Sequence, residues 1–175
     1  MKKKFYLSIL LAPFMFLASC NESENGKGQS FTTDFENLAG WVDNPAIIKC
    51  DAHSGKWASV ANKLKPYSHT FKIKLRDVGD KTLQKVNVSA WCYVGDLPCD
   101  AKLVTAINSP EKENAMWEGK PLTSIIREKG KWMQINASYR LNRGGLNNPD
   151  NTLLVYVWNL SDANVLVDDI SVSFE

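Results

Sequence analysis

Two adjacent carboxylates, Asp168 and Asp169, lie in the middle of VLVDDISVSF, an otherwise largely apolar segment at the end of the 175-residue chain. The β-branched residues around them favour a strand, and strand alternation predicts that one carboxylate points toward the core and the other toward solvent. A carboxylate buried without a partner is costly, so we expect basic side chains, backbone amides at a bulge or a bound cation beside it.

Two other segments carry oxygen atoms that could meet this pair. In TDFEN, Asp34 and Glu36 stand two residues apart on one face of a predicted first strand, and Phe35 faces the other way. The segment AHSGKW is typical of a tight turn, in which Gly55 lets backbone carbonyls turn inward. Carboxylate and carbonyl oxygens are the ligands that Ca²⁺ prefers, so the three segments together predict a structural calcium.

The same carboxylates have an alternative explanation without a metal. They could accept hydrogen bonds from Lys56, from Ser54 or from backbone amides at the strand ends. Paired carboxylates could also hydrolyse glycosides, but the best pair, Glu36 and Asp169, is better assigned to calcium. Because the sequence also lacks nucleophile, zinc-protease and phosphate-loop motifs and has only two histidines, we expect no enzymatic activity.

Segments of period-two hydrophobicity, separated by turn residues, position these groups. They predict an all-β fold, an antiparallel β-sandwich of the jelly-roll type. The predicted strands are Ser30–Glu36, Ala46–Cys50, Trp57–Ala61, Ser68–Leu75, Gln84–Val94, Ala101–Asn108, Leu122–Ile126, Lys131–Leu141, Thr152–Asn159 and Val165–Phe174.

Three of these strands have one aliphatic face and one face of aromatic rings, amides and hydroxyls. Sugars present apolar C–H faces and a rim of hydroxyls, so flat aromatic surfaces beside polar groups suit them. If the strands share a sheet, the predicted ligand-binding residues form one groove floor: Trp91, Tyr93, Tyr156, Trp158, Asn87, Gln134, Asn136 and Arg140. The alternative is that some of these aromatic rings pack under loops.

Other tryptophans have different expected roles. Trp117 falls in a predicted long loop between Asn108 and Leu122, where it could rim the site or close the end of the sandwich. Trp41 and Trp57, beside the calcium motifs, are expected in the core.

Several short motifs occur in an order that resembles the calcium-containing jelly-roll carbohydrate-binding modules that accompany xylanases and β-glucanases, domains of the galactose-binding-like type. The similarity extends over nearly the whole mature domain. The motifs are Phe35-Glu36 followed by Trp41, His53-Ser-Gly-Lys56, Trp91, Gly130-Lys-Trp132 and Val167-Asp-Asp-Ile170.

The resemblance implies a ligand set for the calcium. It consists of Glu36, the backbone around His53 and Lys56, and Asp169, with Asp168 and Asp34 as further ligands. It also implies carbohydrate binding, although such modules usually accompany a catalytic domain. Trp91 and Trp132 match positions in the strand pattern of these modules and could therefore be scaffold.

The N-terminus predicts a bacterial lipoprotein. Lysines, an apolar run and LASC form a signal peptide at residues 1–19, with Cys20 as the lipidated residue of the mature chain. A polar tether, residues 20–30, would join the lipid to a domain of residues 31–175. We expect anchoring in the cell envelope, at the outer membrane and at the cell surface; the alternative is a plain secreted protein.

The charge balance excludes one class of partner. The chain has 21 basic and 19 acidic residues, and loss of Lys2, Lys3 and Lys4 with the signal peptide changes the net charge from +2 to −1. No basic patch favours nucleic acid or anionic lipid, so the acyl chains alone would hold the protein at the membrane.

Three cysteines remain in an oxidising compartment, namely Cys50, Cys92 and Cys99. At most one pair can bridge, the three pairings stay open, and none has zinc-ligand spacing. The sequence as a whole predicts a non-catalytic surface lipoprotein that binds poly- or oligosaccharide. The alternative is an envelope scaffold or protein-interaction domain of the same fold, with protein partners in place of sugar.

Overall fold

The computed structural model describes residues 29–38, 46–79 and 82–175. Ten strands and two short 3-10 helices, at Leu75–Val78 and Leu122–Ser124, make up the secondary structure of these residues. The strands are β1 (Ser30–Thr33), β2 (Ile47–Lys49), β3 (Trp57–Ala61), β4 (Phe71–Lys74), β5 (Lys85–Val94), β6 (Ala101–Asn108), β7 (Met116–Pro121), β8 (Trp132–Arg140), β9 (Thr152–Asn159) and β10 (Val165–Phe174).

The strands form two antiparallel sheets that pack face to face. The six-stranded sheet has the order β2-β3-β10-β5-β8, and β1 pairs with the second half of β10. The four-stranded sheet has the order β4-β9-β6-β7. This is the all-β jelly-roll sandwich that the sequence predicts, and the prediction of fold class is confirmed.

Alternation along the strands builds the core between the sheets. In β5, Val86, Val88 and Ala90 are buried, and their neighbours in sequence face outward. Leu153 and Val155 of β9 cover them from the other sheet as part of the same apolar cluster. Burying an aliphatic side chain of this size stabilises the folded state by about 2 kcal/mol. The inward faces therefore determine which side of each strand remains available for function.

Two predictions between Asn108 and Ile126 are wrong. The predicted long loop contains strand β7, so Trp117 belongs to a sheet. The predicted strand Leu122–Ile126 instead begins with a 3-10 helix, because Leu122 and Ile126 are both buried and the Ile126 N–H donates to the Leu122 carbonyl, as in one helical turn.

The first strand is shorter than predicted. β1 ends at Thr33, and Phe35, at φ 61°, turns into the core, where it is fully buried. Asp34 and Glu36 therefore lie in a turn rather than on one face of a strand. The predicted signal peptide, Cys20 and Trp41 lie outside the described residues, and in the part described no helix is long and apolar enough to cross a membrane.

The three cysteines of the described residues are free thiols. Cys92 and Cys99 are buried, whereas Cys50 is partly exposed. Burial raises the pKa of Cys92 above its ordinary value, and the neighbouring Cys99 raises it further. Burial, followed by the Asp168 carboxylate, also raises the pKa of Cys50. The Cys92 and Cys50 thiols therefore hold their protons more tightly than an ordinary cysteine thiol does.

Candidate functional site

The Asp168–Asp169 pair lies at a bulge in β10. The pairing of β10 with β5 shifts between Asp168 and Ser171, and Asp169 has a left-handed backbone with φ 45°. An extra residue in one strand breaks the alternation of side chains between faces. The prediction that the two carboxylates point to opposite sides is therefore wrong: both contact Ser54.

The turn at residues 52–57 supplies the partners of the pair. The Ser54 N–H donates to Asp168 Oδ2 at 2.9 Å, and the Ser54 hydroxyl donates to Asp169 Oδ1 at 2.7 Å. His53 Nδ1 lies 2.6 Å from Asp169 Oδ2, and the Asp169 N–H donates to Asp168 Oδ1 at 2.8 Å. Burial raises the pKa of Asp168, and the backbone N–H groups of Ser54 and Asp169 oppose that rise. Amides at a bulge, one of the three expected solutions, thus meet the buried carboxylate.

Glu36 approaches the same turn from the other side. Its Oε1 accepts the backbone N–H groups of Lys56 and Trp57, at 2.6 and 2.8 Å. Gly55, at φ 62°, leaves room for this: a Cβ there would lie 2.3 Å from the Glu36 carboxyl carbon. The Glu36 N–H in turn donates to Asp34 Oδ1 at 3.1 Å.

A cation at this turn would be bound by the oxygen atoms of the Asp168–Asp169 pair and by backbone carbonyls. All four oxygens of Asp168 and Asp169 already have hydrogen-bond partners, and the Lys56 carbonyl accepts the Cys50 N–H. Within the described ranges, no three acidic, histidine or cysteine side chains gather in a way that could hold a metal ion. These hydrogen bonds are of the kind expected in the metal-free alternative, and calcium stays a prediction that rests on the sequence.

An aromatic cluster covers the outward face of the six-stranded sheet beside this turn. The His53 ring stacks on Trp91 at 3.8 Å between centroids and meets Trp132 edge-on at 5.8 Å. Tyr93 contacts Trp132 at 5.7 Å. Because His53 occupies one face of the Trp91 ring, that tryptophan is half covered by the chain itself.

The polar residues predicted to bind ligand line the same face. Gln134 lies directly across from Trp91, Asn136 from Ser89, and Arg140 from Lys85, in the β5–β8 pairing. Asn87 is held by Ser138 and Glu175 through hydrogen bonds of 2.8 and 2.6 Å. Two open clefts of about 520 and 940 Å³ run along this face and share two lining residues, Ser89 and Ser171.

A second aromatic group lies on the outward face of the four-stranded sheet. We call it the aromatic platform; its members are Trp117 of β7, Tyr156 and Trp158 of β9, and Tyr67, which precedes β4. Trp117 and Trp158 meet edge to face at 5.9 Å, and Tyr67 and Tyr156 at 5.7 Å. Trp117 is 40% exposed and Tyr67 54% exposed, so two rings of the platform present large areas to solvent.

The sheet beneath the platform is shaped to hold it. Gly119 lies under the Trp117 indole, since a Cβ there would be 2.7 Å from the ring. Val104 pairs with Gly119 between β6 and β7, and its side chain faces outward. It is nevertheless fully buried on the side of the sheet that carries the platform. Lys102 Nζ lies 5.5 Å from the centre of the Trp158 ring, within the range of a cation–π contact.

The predicted ligand-binding residues do not form one groove floor, because their strands do not share a sheet. β5 and β8 belong to the six-stranded sheet and β9 to the four-stranded sheet, so the predicted ligand-binding residues divide between opposite surfaces of the sandwich. Tyr156 and Trp158 join Trp117, whereas Trp91 and Tyr93 lie on the other surface. Sequence reasoning missed Tyr67 and Lys102; the alternation of β6 could have placed Lys102 on an outward face, but not beside Trp158.

The fold is similar to that of solved carbohydrate-binding modules. The CBM22-1 xylan-binding domain from Paenibacillus barcinonensis Xyn10C aligns with a TM-score of 0.52 and 18% identity, over 85% of this chain and 96% of that domain. The CBM22-2 xylan-binding domain of the same protein aligns with a TM-score of 0.54 and 14% identity, over 83% of this chain and 99% of that domain. Family 16 carbohydrate-binding module-2 aligns with a TM-score of 0.50 and 14% identity, over 80% of this chain and 95% of that module.

Sequence comparison adds no further relative: no family model matches the chain, and no curated protein matches it. At identities of 14–18%, the likeness establishes the fold alone. The chain therefore has the jelly-roll fold found in carbohydrate-binding modules, and its ligand has to be argued from its own surface residues.

Proposed function

We propose that the protein is a non-catalytic carbohydrate-binding lipoprotein and that it binds a glycan chain on the aromatic platform. One observation carries the proposal: Trp117 and Tyr67 are solvent-exposed aromatic residues that flank Trp158 and Tyr156 on a single sheet face. Large exposed aromatic side chains in one place mark an interaction site on a soluble domain.

The chemistry of the platform suits sugar. The apolar C–H face of a pyranose ring can lie on an indole or phenol ring, which removes apolar area from water, while its hydroxyl rim needs polar partners at the edge. The Tyr67 and Tyr156 hydroxyls and the Lys102 ammonium provide such partners next to the rings. Two solved domains of similar fold are xylan-binding domains, which supports the same ligand class for this chain.

The six-stranded sheet is the less suitable surface. Trp91 has one ring face taken by His53, and Asn87 has its amide engaged with Ser138 and Glu175. We therefore assign this surface a supporting part: the hydrogen-bonded turn at residues 52–57 holds the bulge in the middle of β10, and the ring cluster covers the turn.

Location follows from the N-terminal sequence alone. A lipid on Cys20 would anchor the domain to the outer membrane, and the tether would let the platform reach glycans outside the cell. Such a protein would hold glycan chains close to partner enzymes or transporters of the same envelope.

Affinity electrophoresis through gels that contain xylan, β-glucan or galactan tests the proposal. We expect retardation of the full chain by at least one glycan, and its loss in Trp117→Ala and Trp158→Ala while the melting temperature of the variants stays close to that of the wild type. Gln134→Ala on the other surface provides the comparison. Loss of retardation in Gln134→Ala alone would move the site to the six-stranded sheet, and no retardation by any glycan would favour the envelope scaffold.

A further inference from the structure

The outward face of the four-stranded sheet has a one-sided charge. Three lysines, Lys72, Lys74 and Lys102, occupy outward positions of β4 and β6. The remaining outward positions of the four strands are neutral: Thr152, Leu154, Tyr156, Trp158, Val104, Ala106, Asn108, Trp117, Gly119 and Pro121. A protein with nearly balanced overall charge thus carries no carboxylate on the strand surface that bears its exposed rings.

The lysines lie close to the aromatic platform. Lys102 is directly across from Trp158 in the β6–β9 pairing. Lys72 is directly across from Leu154, and the next outward residue of β9 is Tyr156. Neighbours at this diagonal are about 7–8 Å apart, within reach of a long side chain. An ammonium group can therefore meet either end of a sugar that lies on the rings.

These lysines have few acidic partners in the part of the chain that the structure describes. Among the described residues, no carboxylate lies within ion-pair distance of Lys72 or Lys74. Lys102 has only a long contact, 3.9 Å, with the exposed Asp100 carboxylate at the end of the sheet. Lysines that have few acidic partners beside a binding surface raise the local concentration of anions there.

We propose that the ligand of the aromatic platform is an anionic polysaccharide, whose carboxylate or sulfate-ester groups pair with these lysines while its rings lie on the tryptophans and tyrosines. The inference rests on the carbohydrate-binding function proposed above and adds the chemical class of the ligand.

Matched ligand pairs test it on the full chain in mild detergent. Polygalacturonate is compared with its methyl ester, and dextran sulfate with dextran, so that each pair differs in charge and the two pairs separate carboxylate from sulfate recognition. We expect one anionic member to bind more tightly than its neutral partner, and the difference to shrink as salt is raised from about 0.1 M to about 1 M, where the screening length falls to about 3 Å.

Charge variants locate the effect. Lys72→Gln and Lys102→Gln should each weaken binding of the anionic member about threefold. Asp100→Asn should strengthen it about twofold, because Lys102 loses its competing carboxylate; a folding defect cannot produce such a gain. Lys49→Gln, an exposed lysine of β2 on the other sheet, removes the same charge elsewhere and should leave binding unchanged.

The outcomes separate the inference from the function on which it rests. Equal affinity for charged and neutral members, with binding that still requires Trp117, overturns the anionic ligand and leaves carbohydrate binding in place. Binding of the charged members that survives Trp117→Ala is plain ion exchange and also overturns the inference. If every ligand binds equally well to Trp117→Ala, the platform is not the site and both proposals fail.

Discussion

The turn between β2 and β3 offers a quantitative test of the role of the Glu36 carboxylate. Replacing Gly55 by alanine puts a Cβ 2.3 Å from the Glu36 carboxyl carbon, so the carboxylate has to leave. The backbone N–H groups of Lys56 and Trp57 then lose the acceptor that lies 2.6 and 2.8 Å from them. The variant therefore breaks two charge-assisted hydrogen bonds without touching the carboxylate residue itself.

The size of the effect follows from two contributions. Alanine in a left-handed backbone costs about 1 kcal/mol. Each lost hydrogen bond to the carboxylate costs about 1 kcal/mol more at this partly exposed position. We therefore expect Gly55→Ala to lower the free energy of unfolding by about 3 kcal/mol. Gly144→Ala is the matched control, because Gly144 also has a left-handed φ of 57° but has no atom within 4 Å of the added Cβ, and it should cost about 1 kcal/mol.

Urea denaturation followed by tryptophan fluorescence measures both variants on the same chain, with the midpoint and slope fitted together. A difference of about 2 kcal/mol between them would support the role of Glu36 in holding the turn. Equal destabilisation of Gly55→Ala and Gly144→Ala would refute the reasoning, since it would leave only the backbone cost that the two glycines share.

Three further predictions test other parts of the molecule. Thr105 Oγ1 is buried without a hydrogen-bond partner among the described residues, so Thr105→Val should raise the free energy of unfolding by about 1 kcal/mol, and a lower melting temperature would contradict this. Burial lowers the pKa of His69, so the folded protein binds this proton less tightly than the unfolded one; the stability present above about pH 6.5 is lost as the pH falls below that value, and His69→Gln should flatten this part of a melting profile between about pH 8 and about pH 5. Free calcium at 100 times its dissociation constant would add about 2.7 kcal/mol to the free energy of unfolding. Chelation should therefore lower the melting temperature of the wild type and not that of Asp169→Asn, and a wild type that does not respond to chelation would refute the calcium site.

Local patterns were sufficient to predict most strands. β3, β6, β9 and β10 have the bounds that period-two hydrophobicity predicts, and most inward positions of β6, β9 and β10 are aliphatic. β7 escaped this reasoning because Gly119 and Pro121 are usually read as turn residues. The structure gives both a reason: Gly119 lies under the Trp117 ring, and Pro121 ends an edge strand, where a missing N–H leaves no ladder bond unmade.

The division of the aromatic residues between two surfaces could not be predicted in this way. Alternation assigns Trp91 and Trp158 to the outward faces of their strands, but it carries no information about which strands become neighbours. That depends on pairings between residues far apart in sequence, such as Lys102 with Trp158 and Trp91 with Gln134. The sequence therefore predicts one surface for residues that the structure divides between two.

The bulge in β10 shows a third kind of information that a sequence pattern lacks. Alternation treats Asp168 and Asp169 as facing opposite sides, which would leave one carboxylate in the core without a donor. A left-handed residue at Asp169 instead turns both carboxylates toward Ser54, so that one turn, rather than two separate environments, meets their need for donors. The cost of a left-handed aspartate, about 1 kcal/mol, is smaller than that of a buried carboxylate without hydrogen bonds, and this difference explains why the chain departs from regular strand geometry at this point.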